Sequence, residues 1–309
     1  MRALRETPEE QRGWATETRS VQCQSCRAVS VFDARRVGQN CDFCGSPALV
    51  DYQEIKAPIR PQSLLPFKVT ESQVRERIRD WWAGKWLAPS ALTRRALVDT
   101  VHGVYIPYWT FDAHVHCRWR AEAGHYYYTT ETYRDSQGRT QTRQVRHVRW
   151  EPASGVIDHF FDDEPVPGTH GVDRGLLRQI EPFPTSELVP YDTTFLSGFV
   201  VEHYQVVLFD AAKASEAQMH GRLEQMCAAA VPGDTYRNLS VTPAYSRQTF
   251  KHILVPIWLL AYMYRSSRYQ VVVNGYTGTI AGQYPKSVWK VLFLIAAILI
   301  VVLLVLYSQ

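Results

Sequence analysis

The 309-residue chain predicts an α+β fold with three parts: a small N-terminal cysteine module, a β-rich antiparallel domain with a few helices, and a single C-terminal transmembrane helix. Three features carry that reading. Two Cys-x2-Cys pairs lie close together near the start of the chain. Stretches beyond about residue 100 are dense in Val, Ile, Thr, Tyr and Trp, residues that suit a pleated, half-buried surface. From Val291 to Leu306 the chain reads VLFLIAAILIVVLLVL, without one polar side chain. The composition, 46% hydrophobic, 21% charged and 12% aromatic, is that of a folded chain and excludes a disordered one. A formal net charge of +4 matters only where the cations cluster.

Residues 1–20 read as a tail and 21–56 as the cysteine module. The first residues, MRALRETPEEQRGW, have no apolar h-region, so no secretory signal is expected. Four of the cysteines, Cys23, Cys26, Cys41 and Cys44, form the two pairs, while Cys117 and Cys227 stand apart. That grouping is unlike a disulfide framework and points to a reducing compartment. Two residues between thiolates allow a tight knuckle, and two knuckles offer the four tetrahedral ligands of one structural Zn²⁺, leaving no open position for a catalytic water. Gly45, just after Cys44, supplies permissive backbone. The intervening Val-Ser-Val-Phe is a strand signal, so the module reads as a Cys₄ zinc ribbon. A redox CxxC or an iron–sulfur site is the alternative, but a redox motif is expected beside a βαβ unit, which the sequence does not suggest. Residues 1–56 carry eight Lys and Arg against eight Asp and Glu, so the module lacks the cationic excess that drives phosphate binding.

Residues 57–66, with three prolines between Ala57 and Pro66, read as a linker, and 67–286 as the α+β domain. TESQVRERIRDWWAGKW opens on a capping-box pattern, Thr70 with Gln73, and carries Val74, Ile78, Trp81 and Trp82 on one side of a helix ending near Gly84. GVYIPYWTFDAHVHCRW alternates as a strand does. HYYYTTETYRDSQGRTQTRQVRHVRW reads as a long hairpin turning at DSQG. The hairpin gathers Arg134, Arg139, Arg143, Arg146 and Arg149, a candidate contact for anionic headgroups or nucleic acid, or an ordinary solvated face. DAAKASEAQMHGRLEQMCAAAV has helical spacing, with Asp210 expected as N-cap and Cys227 on the apolar side. VYIPYWTFDA (104–113) and ILVPIWLLAY (253–262) share an apolar-x-apolar-Pro-x-Trp pattern that hints at two related halves. Asn274-Gly275 signals a turn between two strands.

Val288, Trp289 and Tyr307 extend the terminal apolar run to the roughly 20 residues that cross a bilayer. Lys286 and Lys290 flank it upstream, so by the positive-inside rule 287–309 is expected to be a tail anchor with the bulk of the chain on the cytoplasmic side. No catalytic motif is found: GYTGTIAG lacks the Lys-Ser/Thr of a P-loop, and there is no nucleophile elbow or His-Glu-x-x-His helix. Asp112, His114 and His116 share one strand face and are the one further metal candidate.

The ribbon CQSC…CDFCG, VYIPYWTFDA, FLSGFVVEHY and above all ILVPIWLLAYMY…YQVVVNGYTGTIAGQYPKS before a hydrophobic tail resemble a family of bacterial zinc-ribbon membrane proteins. Its members are often labelled TFIIB-type zinc ribbon or primosomal protein N′/replication-restart helicase-like. The resemblance implies a membrane-tethered accessory protein with zinc on Cys23, Cys26, Cys41 and Cys44. Together with the lack of a catalytic motif it leads to the expectation of a non-enzymatic scaffold or adaptor at the bacterial inner membrane. Its implied partners are proteins, SPFH-type membrane organisers among them. The alternative is a membrane-tethered nucleic-acid binder using the 134–149 hairpin. The helicase label has no ATPase core here to support it.

Overall fold

A computed structural model describes residues 18–33, 41–43, 46, 48–52, 59–89, 101–134, 136–265 and 267–307. In chain order it contains β1 (Thr18–Cys23), β2 (Val29–Asp33), β3 (Leu49–Asp51), β4 (Ser63–Leu64), α1 (Glu71–Ala83), β5 (His102–Arg134) and β6 (Thr140–Pro167). There follow α2 (Arg174–Ile180), β7 (Val189–Pro190), β8 (Val200–Glu202), α3 (Leu208–Ala230), β9 (Thr235–Tyr264), β10 (Ser267–Asn274), β11 (Ile280–Gly282) and α4 (Val288–Tyr307). The fold is mixed α/β around a large sheet. Its compact units are discontinuous: one holds Met1–Trp109, Pro167–Leu208 and Lys251–Gln309, the other Thr110–Val166 and Phe209–Phe250. The 21–56 segment lies inside the first unit.

In the first unit the strand order is β11-β10-β9-β5-β8-β2-β1-β3. The β1–β2 and β1–β3 pairs are antiparallel, with Val21 opposite Ser30 and Cys23 opposite Leu49. β8 joins β2 antiparallel, Ser30 facing Glu202. Residues 104–111 are buried throughout instead of alternating, because both faces are covered. Val104, Ile106 and Tyr108 lie in one core cluster with Ile253, Val255 and Ile257, while Tyr105 and Leu254 lie in another. The stretch expected as a linker is instead built in: Ser63–Leu64 pairs antiparallel with β7 and parallel with β9, and Leu64 and Leu65 are fully buried. Burial of the two leucines holds the stretch on the sheet, and the extended bias of the neighbouring prolines is compatible with a strand.

The two segments with the shared proline–tryptophan pattern lie in neighbouring strands, β5 and β9, and make matching contacts. The Pro107 carbonyl accepts from Gly168 N–H at 2.8 Å and the Pro256 carbonyl from Gly275 N–H at 2.9 Å. The Trp109 indole donates to the Val206 carbonyl at 2.9 Å and the Trp258 indole to that of Val69 at 3.0 Å. The second segment lies near the end of β9, which begins at Thr235. The capping box of α1 is as read, with reciprocal Thr70 and Gln73 bonds.

The second unit packs α3 on the strands. Ala211, Ser215, Met219, Leu223 and Cys227 of α3 are buried, as are Ala113, Val115, Cys117, Trp119 and Ala121 of β5. The Cys117 and Cys227 sulfurs are 3.9 Å apart. The helix begins at Leu208, so Asp210 lies in its first turn and is not its N-cap. A carboxylate there still opposes the positive end of the helix dipole. The β5–β6 hairpin turns at 136–138, with Gly138 at φ +77. The 274–280 connection is longer than a two-residue Asn-Gly turn, and its left-handed residue is Gly278 at φ +77. α4 spans 20 residues with mean hydropathy 3.1 and none of its residues buried, and is long and apolar enough to cross a membrane.

Candidate metal centre

Cys23 ends β1, and the following turn brings Cys26 back beneath it. The Arg27 N–H donates to the Cys23 carbonyl at 2.8 Å and the Cys23 N–H to that of Ala28 at 2.9 Å. Arg27 adopts the left-handed region at φ 64, the position after the second cysteine that Gly45 occupies in the other knuckle. Cys41 arrives from the second pair, its N–H donating to the Ser46 carbonyl at 2.8 Å. The thiol sulfurs of Cys23, Cys26 and Cys41 all lie within 4.8 Å of one another, and those of Cys26 and Cys41 are 3.6 Å apart. These three can hold a metal ion. Cys44, the fourth expected ligand, and Gly45 lie outside the described residues.

The thiols are built into the core. Cys23 and Cys41 are 0% and 3% exposed and belong to the cluster that holds Ala28, Phe43, Val172 and Leu176. Arg268 clamps the second knuckle from β10, donating to the carbonyls of Phe43 at 3.0 Å and Gly171 at 2.9 Å. Gln270 adds a second donor to Gly171 at 2.9 Å. Glu202 of β8 is 1% exposed, and one of its oxygens accepts from Gln205 at 2.7 Å. Its other oxygen has no hydrogen-bond partner among the described residues. Burial pushes its carboxyl up to about 8, with the Cys26 sulfur adding to the rise against donors from Thr169 and Gln205. Sequence reasoning passed over Arg268 and Glu202. The signal for Glu202 was a carboxylate inside the apolar run FVVEHY, since a buried charge is the informative kind of exception.

The other candidates come apart. Asp112 does not join His114 and His116. It accepts from the Asp163 N–H at 2.9 Å and the Thr249 hydroxyl at 2.6 Å, and its carboxylate neighbours are Asp162 and Asp163. His116 instead meets Asp158 at 2.7 Å, and His114 packs its ring 4.5 Å from Phe160. A strand's alternation puts residues two apart on one face, but each side chain then takes the cross-strand neighbour opposite it. The arginines of the hairpin are distributed along it. Arg143 pairs with Glu131 and Arg149 with Glu151, both at 3.0 Å, while Arg146 sits over the Tyr126 ring at 4.4 Å. Arg134 ends β5 and Arg139 lies just past the turn, both exposed.

No protein-family model matches the chain, and no solved structure matches it. The chain is similar to the "Uncharacterized protein YdjG" of Bacillus subtilis (strain 168), with 22% identity over 248 residues, 80% of this chain and 70% of that protein.

Proposed function

We propose that the chain is a non-enzymatic, membrane-anchored scaffold: a zinc-bound cysteine module and its β-rich core, held at the cytoplasmic face of a bacterial membrane by α4, recruit protein partners. The observation that carries this reading is the convergence of three thiols, two buried and one half-buried, in a unit whose chain also supplies a 20-residue apolar helix with no buried residue. Tetrahedral zinc with Zn–S bonds of about 2.3 Å sets its sulfurs roughly 3.8 Å apart. The 3.6 Å between Cys26 and Cys41 suits that ion. Cys23, Cys26 and Cys41 would hold it, with Cys44 as the fourth thiolate. The ion would tie the first cysteine knuckle to the second. Resemblance to bacterial zinc-ribbon membrane proteins supports the same assignment, and SPFH-type membrane organisers are the partner class it suggests. The pairing of Arg143 and Arg149 with carboxylates weighs against a nucleic-acid reading, because phosphate affinity needs unneutralised cations.

Metal analysis and capture of partners from native membranes test the proposal together. The purified full chain is expected to carry one zinc per molecule, and Cys41→Ser to lose it, to melt at lower temperature, and to release its protein partners while still sedimenting with membranes. A chain that folds and holds its partners equally well without zinc would overturn the scaffold role of the module.

A further inference from the structure

α4 reaches its exposed apolar run through an unusual attachment. The three consecutive carbonyls of Trp86, Leu87 and Ala88, in the turn that follows α1, all accept hydrogen bonds from the start of α4. The Ser287 N–H donates to Leu87 at 2.8 Å, and the Lys290 ammonium donates to Trp86 at 2.9 Å and Ala88 at 2.8 Å. A lysine at the edge of an apolar span ordinarily extends its ammonium to the headgroups. Here the charge is directed to backbone oxygens, and it fixes the 86–88 turn alongside the first turn of the helix.

The depth of that turn follows from length. Twenty residues at about 1.5 Å each give roughly 30 Å, the thickness of a bilayer's hydrocarbon core. A crossing by α4, which runs from Val288 to Tyr307, therefore needs the whole helix, and the boundary of the hydrocarbon falls at its first turn. The residues bonded to that turn lie at the same level. Trp86 is 55% exposed there, whereas Trp82, Trp109 and Trp258 of the same unit are buried. Trp289, in the first turn of α4, is 82% exposed. Lys286 is exposed, and the Lys85 ammonium stands 4.8 Å over the Trp81 ring and 5.6 Å over that of Tyr284. Exposed indoles interspersed with ammonium groups are the side-chain chemistry of the headgroup layer, where an amphipathic ring meets both acyl chain and water.

We infer that the 85–88 turn is a second membrane contact, in which the Trp86 ring lies in the phospholipid headgroup layer at the depth set by the Lys290 bonds to the carbonyls of Trp86 and Ala88. The inference rests on the reading of α4 as a membrane span. It gives the span a rigid seat on the folded unit, where a flexible stalk would leave α4 free to swing.

Photocrosslinking of the full chain in phosphatidylethanolamine–phosphatidylglycerol vesicles tests it. p-Benzoylphenylalanine is placed at position 86 in one variant and at 289 in another, and phospholipid adducts are read by mass spectrometry. Both positions are exposed, so both variants should keep the fold, which protease resistance equal to that of the parent chain verifies. Phospholipid adducts at both positions are expected. An adduct at 289 with none at 86 overturns the second contact and leaves the span intact. None at 289 overturns the span and the contact with it. Adding Lys290→Met is expected to lower the adduct at 86 severalfold while sparing that at 289; an unchanged yield at 86 overturns the depth-setting role of Lys290.

Discussion

Asn274 shows how one side chain can organise a motif. It is fully buried; its amide N–H donates to the Ile180 carbonyl at 2.9 Å, and its oxygen accepts the N–H groups of Tyr276 at 2.9 Å and Thr277 at 3.0 Å. The residue thus ends α2 and closes its own loop at once, so NGYTG acts here as a packing device. Asn274→Ala would strand a buried carbonyl and release two loop donors, at a cost of about 2–4 kcal/mol in chemical denaturation. Asn274→Asp keeps the acceptor and loses the donor, and should fall between alanine and the parent chain. Arg27 tests the knuckle in the opposite direction. At φ 64 it holds a conformation that disfavours any side chain, so Arg27→Gly is expected to raise the melting temperature of the zinc-loaded protein by an amount equivalent to up to about 1 kcal/mol. A fall would mean that the arginine side chain contributes more than its backbone strain costs. The Asn-Gly signal was legible in the sequence. The partner at Ile180 was not, because 94 residues of chain separate the two.

At the scale of elements, local signals read most clearly where one segment settles its own hydrogen bonds. Helix α1 begins where its capping box says, and Thr70→Ala is expected to remove about 1 kcal/mol, measurable as a lower denaturation midpoint at unchanged slope. Cys227 was legible as the apolar face of a helix, but Cys117 opposite it was not, since a strand and a helix 110 residues apart share no periodicity. The arginine hairpin makes the same point. Its turn at Gly138 was evident, whereas Glu131 beside Arg143 depends on cross-strand register. The stretch 63–64 went unrecognised as a strand because two residues carry no period, and only the neighbours at Val189 and Ile253 define it. The two proline–tryptophan segments share their pattern in the sequence itself. Their equivalence becomes physical through Gly168 and Gly275, each donating to the proline carbonyl and each crowded by that proline where a Cβ would stand.

The whole molecule should respond to pH through His252. Its ring is 1% exposed, stacks 4.7 Å from Trp109 and donates from Nδ1 to the Ile59 carbonyl at 2.8 Å. Burial, with nearby His203 adding to it, pushes its pKa from 6.5 down to about 4. Between those values the unfolded chain takes up a proton that the native state refuses, so stability present above pH 6.5 is lost as pH falls through the window toward 4, by up to about 3 kcal/mol. Unfolding curves of the parent chain and His252→Asn at pH 7 and pH 5 check this, with a smaller acid loss expected in the variant. By itself the sequence determined the features written in neighbouring residues: cysteine spacing, an apolar terminal run, a helix cap and the hairpin turns. Each of these depends on the backbone's own period or on a single turn. Only the tertiary structure decided that Cys23, Cys26 and Cys41 meet beside Glu202 and Arg268, that Asp112 parts from His114 and His116, and that Lys290 bonds a turn two hundred residues upstream. Those contacts follow from which faces of the sheet are buried and in what register, and register is fixed by the fold as a whole.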